Sequence, residues 1–240
     1  MEKGLKDLFQ RMAGQTGKPG SVDIAIETPR LVLREIELSD KQRLIEISNT
    51  PGFAHYCFDG SEEKVDDFLK KCLNSRKADP ATGLREYIML AICEKDTGLF
   101  LGSVSLERKS FLPGMDYEIN FFMDASQQNK GYAREAAVNM QYYAFMVMNL
   151  PGINVTIEPR NGPSLHVAGK EGYSDTGETV DIDTPCFGTR VFKILAKEKQ
   201  RFESDMNSGM YDTLMIKPAP ANDNTAEAPK QKKPGNHKPG

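Results

Sequence analysis

The sequence predicts a mixed α/β fold, one sheet with helices on its faces. Three observations predict it. Two strand-like runs, 87–93 and 100–106, are joined by the hairpin turn Asp96-Thr97-Gly98. A third apolar run, 116–123, leads through a Gly-containing turn into an Ala-rich helical stretch, 133–149. Strands and short helices then alternate to about residue 213.

The elements follow in order. Residues 5–13 are spaced as a short amphipathic helix, and 14–20 is a Gly-rich joint. Residues 31–36 read as a strand. Ser39-Asp40-Lys41-Gln42 has the form of a capping box opening a helix to Ile47. A loop, 49–59, carries Phe53, His55, Tyr56 and Phe58. Val65, Phe68, Leu69, Cys72 and Leu73 recur at helical spacing within 61–76. After the helix at 133–149 come a strand at 154–158 and a short helix at 164–171 that ends at Gly172. Strands at 179–182 and 190–197 and a terminal helix within 200–213 complete the pattern.

Composition bounds the organisation. From Lys217 to Gly240 there are five Pro and no Val, Ile, Leu, Phe or Tyr. Such a segment buries too little apolar surface to offset its ordering entropy, so disorder is expected there. It carries five Lys against Asp223 and Glu227, a net +3, which leaves −6 for the rest of a chain of net charge −3. The expected organisation is an extension at 1–20, one domain at 21–216 and a tail at 217–240. A mildly acidic body does not suggest a nucleic-acid partner. No apolar run approaches the ~18 residues of a membrane span. Met1-Glu2-Lys3-Gly4 opens no signal peptide, so a cytoplasmic protein, monomer or homodimer, is expected. Cys57, Cys72, Cys93 and Cys186 show no zinc spacing, and His55, His166 and His237 do not cluster, so no metal is expected.

The most informative residues are Gln128-Asn129-Lys130-Gly131-Tyr132-Ala133. A strand, a glycine turn and a helix N-terminus make a phosphate-binding arrangement: first-turn N–H groups lack intrahelical partners and the helix dipole is positive there. Gly131 permits close backbone approach, and Lys130 and Arg134 add positive charge.

This string resembles the R/Q-x-x-G-x-G/A signature of the GNAT superfamily of acyl-CoA-dependent N-acyltransferases. Three further blocks resemble its ribosomal-protein N-terminal alanine acetyltransferase branch: Glu27-Thr28-Pro29-Arg30-Leu31-Val32-Leu33-Arg34, Tyr117-Glu118-Ile119-Asn120, and Asn161-Gly162-Pro163-Ser164 followed by Lys170-Glu171-Gly172-Tyr173. Together they span roughly 27–199. The resemblance implies a mostly antiparallel sheet with helices on both faces, splayed between the fourth and fifth strands to admit acetyl-CoA as co-substrate. It implies cofactor contacts from Gln128 to Arg134 and from Asn161, and an oxyanion contact from a backbone N–H among Phe121, Phe122 and Met123. It makes Glu118 the candidate base and Ser164 a candidate acid toward the CoA thiolate.

Each role has a plainer alternative. Glu118 is a partly buried strand-end base, or a solvated or structurally paired carboxylate. Asn161 and Ser164 are site residues or helix caps. Phe121 and Phe122 are otherwise core or cleft wall. Many GNAT enzymes carry an acidic tyrosine seven residues after the Asn; here that position is Ala168, and Tyr173 reads as packing. The implied activity is acetyl transfer to a primary amine, either a peptide or protein N-terminus or a small molecule. A module that binds acyl-CoA without turnover is the alternative class; the intact Glu118 argues against it.

Overall fold

The structure is a computed structural model that describes residues 23–51, 53, 59–184 and 186–216. The readings of a helix at 5–13, a joint at 14–20, rings at His55, Tyr56 and Phe58, and a disordered tail at 217–240 lie outside the described residues.

One eight-stranded sheet has the order β1-β2-β3-β4-β5-β6-β8-β7. Its strands are β1 (Ala25–Glu27), β2 (Leu31–Glu35), β3 (Tyr87–Glu94), β4 (Phe100–Leu112), β5 (Met115–Met123), β6 (Gly152–Ile157), β7 (Ser174–Thr184) and β8 (Gly188–Glu198). All neighbours are antiparallel except β5 and β6. Parallel strands need a crossover, and α3 (Tyr132–Tyr142), extended by a π turn at Tyr143–Val147, supplies it. The remaining helices are α1 (Lys41–Ser48), α2 (Glu62–Asn74), α4 (Gly162–Lys170) and α5 (Lys199–Asn207).

Helices cover both faces, as the resemblance implies. On one face α1 and α2 bury Leu44, Ile47, Val65, Phe68 and Leu69 against Met89 and Phe122. On the other, α3 and α5 bury Val138, Met140, Phe145 and Phe202 against strand residues such as Leu90, Val104 and Ile153. Each such side chain contributes about 1.5–3 kcal/mol on burial. Strand β3 is buried from Tyr87 to Cys93, which is why it reads as a continuous apolar run rather than an alternating one.

Several boundaries differ from the sequence reading. β1 is a three-residue edge strand, too short to show a period, so the splayed strands are the fifth and sixth rather than the fourth and fifth. β7 runs from Ser174 and is exposed along most of its length, so no apolar face marks it. The capping box forms two residues earlier than Ser39: Glu37 is the cap, and Asp40 Oδ2 accepts the Glu37 N–H at 2.8 Å.

Candidate active site

The signature turn is shaped by two left-handed residues, Asn129 (φ 62°) and Gly131 (φ 81°), the latter being the N-cap of α3. A Cβ on Gly131 would meet only Arg30 Nη2, at 3.4 Å, so the need for glycine here is conformational rather than one of space. The first intrahelical bond runs from Glu135 N–H to the Gly131 carbonyl at 3.0 Å. The N–H groups of Tyr132, Ala133 and Arg134 precede it and point out of the helix end, a site for an anion.

A buried brace holds this turn. Glu135, fully buried, accepts from Thr28 Oγ1 at 2.6 Å, from Arg30 N–H at 2.8 Å and from Arg30 Nε at 2.7 Å. Arg30 Nη1 donates to the Lys130 carbonyl at 2.9 Å, and the guanidinium lies 4.7 Å from the centre of the Tyr132 ring. The Thr28-Pro29-Arg30 block thus fixes the turn from more than 100 residues away, a role its local pattern could not reveal. The two predicted cations differ. Lys130 Nζ is exposed and donates to Gln127 Oε1 at 2.7 Å. Arg134 Nε is tied to Glu171 at 2.6 Å, so its charge is shared with a buried carboxylate. Burial pushes the Glu171 carboxyl up against the pull of Arg134.

β5 and β6 pair at one position, Glu118↔Asn154, and then part. The gap opens into a cleft of about 740 Å³. Its walls include Phe68, Lys71 and Ser105 on the α2 side and Ala137, Gln141 and Ala168 on the α3–α4 side. The Asp124 N–H donates to the Leu101 carbonyl at 2.8 Å, and unbroken register from Gly102↔Met123 to Arg108↔Tyr117 carries that alternation along β5. The N–H groups of Phe121 and Met123 therefore point toward the gap, and that of Phe122 points into the β4 ladder. The Phe122 ring packs edge-on against Phe53, centroids 5.5 Å apart.

Glu118 lies in mid-strand and is 1% exposed, where a partly buried strand-end position was expected. The bridge to β6 puts a second strand over it. Its Oε1 accepts from Thr156 Oγ1, and from Thr156 N–H at 3.2 Å. Its Oε2 faces Lys109 Nζ at 3.2 Å. Lys109 also pairs with Glu107 at 2.9 Å, and Glu107 with Lys71 at 2.7 Å. Burial pulls the Lys109 amine down, but Glu118 and Glu107 more than offset it, so its pKa is raised. Glu107 and Lys109 were not singled out in the sequence; their i, i+2 spacing on a strand was the available signal.

Asn161 caps α4, its Oδ1 accepting the Ser164 N–H at 3.1 Å. Ser164 is therefore the third helical residue and not the cap. Both line the cleft. So does Tyr173, whose hydroxyl is buried without a hydrogen-bond partner among the described residues and whose pKa burial pushes well above the usual value. Its ring packs in the hydrophobic core, as its reading as a packing residue expects. Cys72 is buried, and burial pushes its thiol up to about 12, which makes it a poor nucleophile. No group of His, Cys, Asp or Glu among the described residues is placed to hold a metal ion.

Residues 30–174 match the acetyltransferase (GNAT) domain family. The chain belongs to the GNAT family. It is 31% identical over 152 residues to the uncharacterised N-acetyltransferase YnaD of Bacillus subtilis (strain 168), covering 63% of this chain and 84% of the relative. Among solved structures, a GNAT-family acetyltransferase from Bacillus anthracis has a TM-score of 0.61 at 22% identity, covering 74% of this chain and 99% of that one. A candidate ribosomal-protein-serine acetyltransferase of Vibrio cholerae has a TM-score of 0.58 at 17% identity, over 73% and 97%. The spermidine/spermine N-acetyltransferase SpeG of Vibrio cholerae has a TM-score of 0.55 at 15%, over 73% and 96%. This GNAT protein is an acyl-CoA-dependent N-acyltransferase; the family supplies acetyl-CoA as co-substrate. The three outward N–H groups at the α3 N-terminus and the gap beside β5 fit a phosphate-bearing, elongated molecule of that kind.

Proposed function

We propose that this GNAT enzyme acetylates the N-terminal α-amine of a peptide or protein. The observation that carries the reading is Glu118, a buried carboxylate at the foot of the gap and in the cleft lining, with one oxygen held by Thr156 and the other by Lys109.

Acetyl-CoA supplies the activated acetyl thioester. In this reading Gln128 to Arg134 hold its phosphates through the N–H groups of the turn and the first turn of α3, with Lys130 as the exposed countercharge. Phe121 and Met123 aim N–H groups at the gap, where they can stabilise negative charge on a carbonyl oxygen. Glu118 takes the proton from the attacking amine. Asn161 shapes the start of α4, and Ser164, which lines the cleft from α4, is the candidate acid toward the leaving thiolate.

One argument favours the α-amine. At pH 7.4 an ordinary α-amine is roughly one-quarter neutral and a lysine amine about a thousandth neutral, so one carboxylate serves the former more easily. The test is a competition between a peptide with a free N-terminus and the same peptide blocked at its N-terminus and carrying one lysine. Preferential labelling of the first is expected. Labelling of the lysine peptide refutes the reading. Labelling of neither, with rapid acetylation of spermidine, moves the acceptor to the small amines.

A further inference from the structure

Four charged side chains cross the floor of the cleft in sequence: Lys71, Glu107, Lys109 and Glu118. Glu107 and Glu118 are register partners across β4 and β5, so their carboxylates share one face of the sheet. Both converge on a single ammonium, Lys109 Nζ, at 2.9 Å and 3.2 Å. We propose that Glu107 and Glu118 form the subsite for the acceptor's ammonium group, and that Lys109 occupies it until an acceptor amine displaces it. This rests on the reading of Glu118 as the base.

The chemistry of the site argues for displacement. A primary amine arrives mostly as its ammonium and must reach Glu118 to lose a proton. Glu118 Oε1 is taken by Thr156, so Oε2 is the oxygen left for it, and Lys109 is what Oε2 holds. Lys109 thus presents the same functional group at the place the acceptor needs.

Lys109 is also free to leave. Its side chain is 39% exposed. It lies just beyond the last regular pair, Arg108↔Tyr117, where the β4–β5 register shifts before Leu112↔Met115. Its backbone is tethered instead through its carbonyl, which accepts from Asn154 Nδ2 at 3.3 Å. With Lys109 in place the four groups sum to zero charge. With Lys109 swung out they sum to −1, and one cation restores the balance. Because its carboxylate neighbours keep Lys109 protonated, it competes as a cation and is not itself the nucleophile.

The experiment is steady-state kinetics of Lys109→Met with a free N-terminal peptide and acetyl-CoA. Removing a competitor held by two ion pairs lowers the acceptor KM by up to about thirtyfold. The acetyl-CoA KM stays unchanged. An acceptor KM that is unchanged or higher overturns the proposal, because Lys109 would then only support Glu118. A second readout needs no turnover: methylammonium raises the Tm of Lys109→Met at concentrations that leave the wild type unmoved. Equal shifts in the two proteins overturn the subsite. If the wild type acetylates no amine while methylammonium still separates the two proteins, the base reading fails and the subsite stands. Lys109→Gln gives the same signs where the Met variant does not fold.

Discussion

Glu118 and Asn154 form the one backbone bridge between the parallel strands β5 and β6 among the described residues. Beyond them the strands part, and the cleft begins at the carboxylate itself. The Asn154 side chain secures the junction by donating to the Met115 carbonyl at 2.9 Å. The base candidate is therefore positioned by the event that opens the sheet.

Glu118→Gln keeps acetyl-CoA affinity and lowers kcat by about 10²–10⁴-fold, the usual contribution of a general base. The defect shrinks as pH rises toward about 9, where an α-amine is mostly neutral without help. A pH profile of both proteins checks this; a defect that does not change with pH removes Glu118 from the role.

Gly131→Asp abolishes cofactor binding. It places a side chain at φ 81° and a negative charge at the helix end that faces the phosphates. The wild type gains about 2.7 kcal/mol of stability with acetyl-CoA at 100 times its dissociation constant. The variant gains none, as read by thermal melts with and without the ligand.

Glu135→Ala uncouples the turn from β2. Thr28 Oγ1 and the Arg30 guanidinium lose their shared acceptor, a buried one on the Glu135 side. Breaking a buried pair costs about 3–5 kcal/mol, and the half-exposed Arg30 puts the expected loss at the low end. Denaturant unfolding reads the stability, and titration with acetyl-CoA reads a weakened affinity in the fraction that folds.

Cys72 gives the protein an alkaline liability. Its folded-state pKa is pushed up to about 12 by burial, above the ordinary unfolded value of about 8.5. For a raised pKa the stability it confers is complete below the unfolded value and is lost as pH climbs through the folded one. Over that window stability falls by about 1.4 kcal/mol per pH unit from this group. Cys72→Ala starts less stable, because a buried side chain is truncated. The gap between the two proteins narrows from pH 8 to 11 in urea titrations; a constant gap contradicts the assignment.

Much of this protein is legible in the chain alone. The hairpin at Asp96-Thr97-Gly98, the strand before the signature, the Gly131 turn and the helix after it are local events. They are set by apolar period, by turn chemistry and by the demand for a left-handed residue, so neighbouring residues announce them. The same locality made Gln128 to Ala133 and the Asn161 cap readable. β1 and the first half of β7 escaped, because one is three residues long and the other is exposed along its length.

What the tertiary structure decided is everything that depends on charges meeting across strands. Glu118 could be named as a carboxylate in the right block, but its burial, its partners Thr156 and Lys109, and the shared hold of Glu107 and Glu118 on one ammonium arise only when β4, β5 and β6 lie side by side. Glu135 reads as an ordinary residue in the first turn of a helix until Thr28 and Arg30 are folded onto it. Sequence fixes the period of each element and the conformations its turns require. Coulombic and hydrogen-bond partners act through space over a few ångströms, and here they include pairs as far apart in sequence as Thr28 and Glu135, 107 residues, so their energies take shape only in the folded sheet.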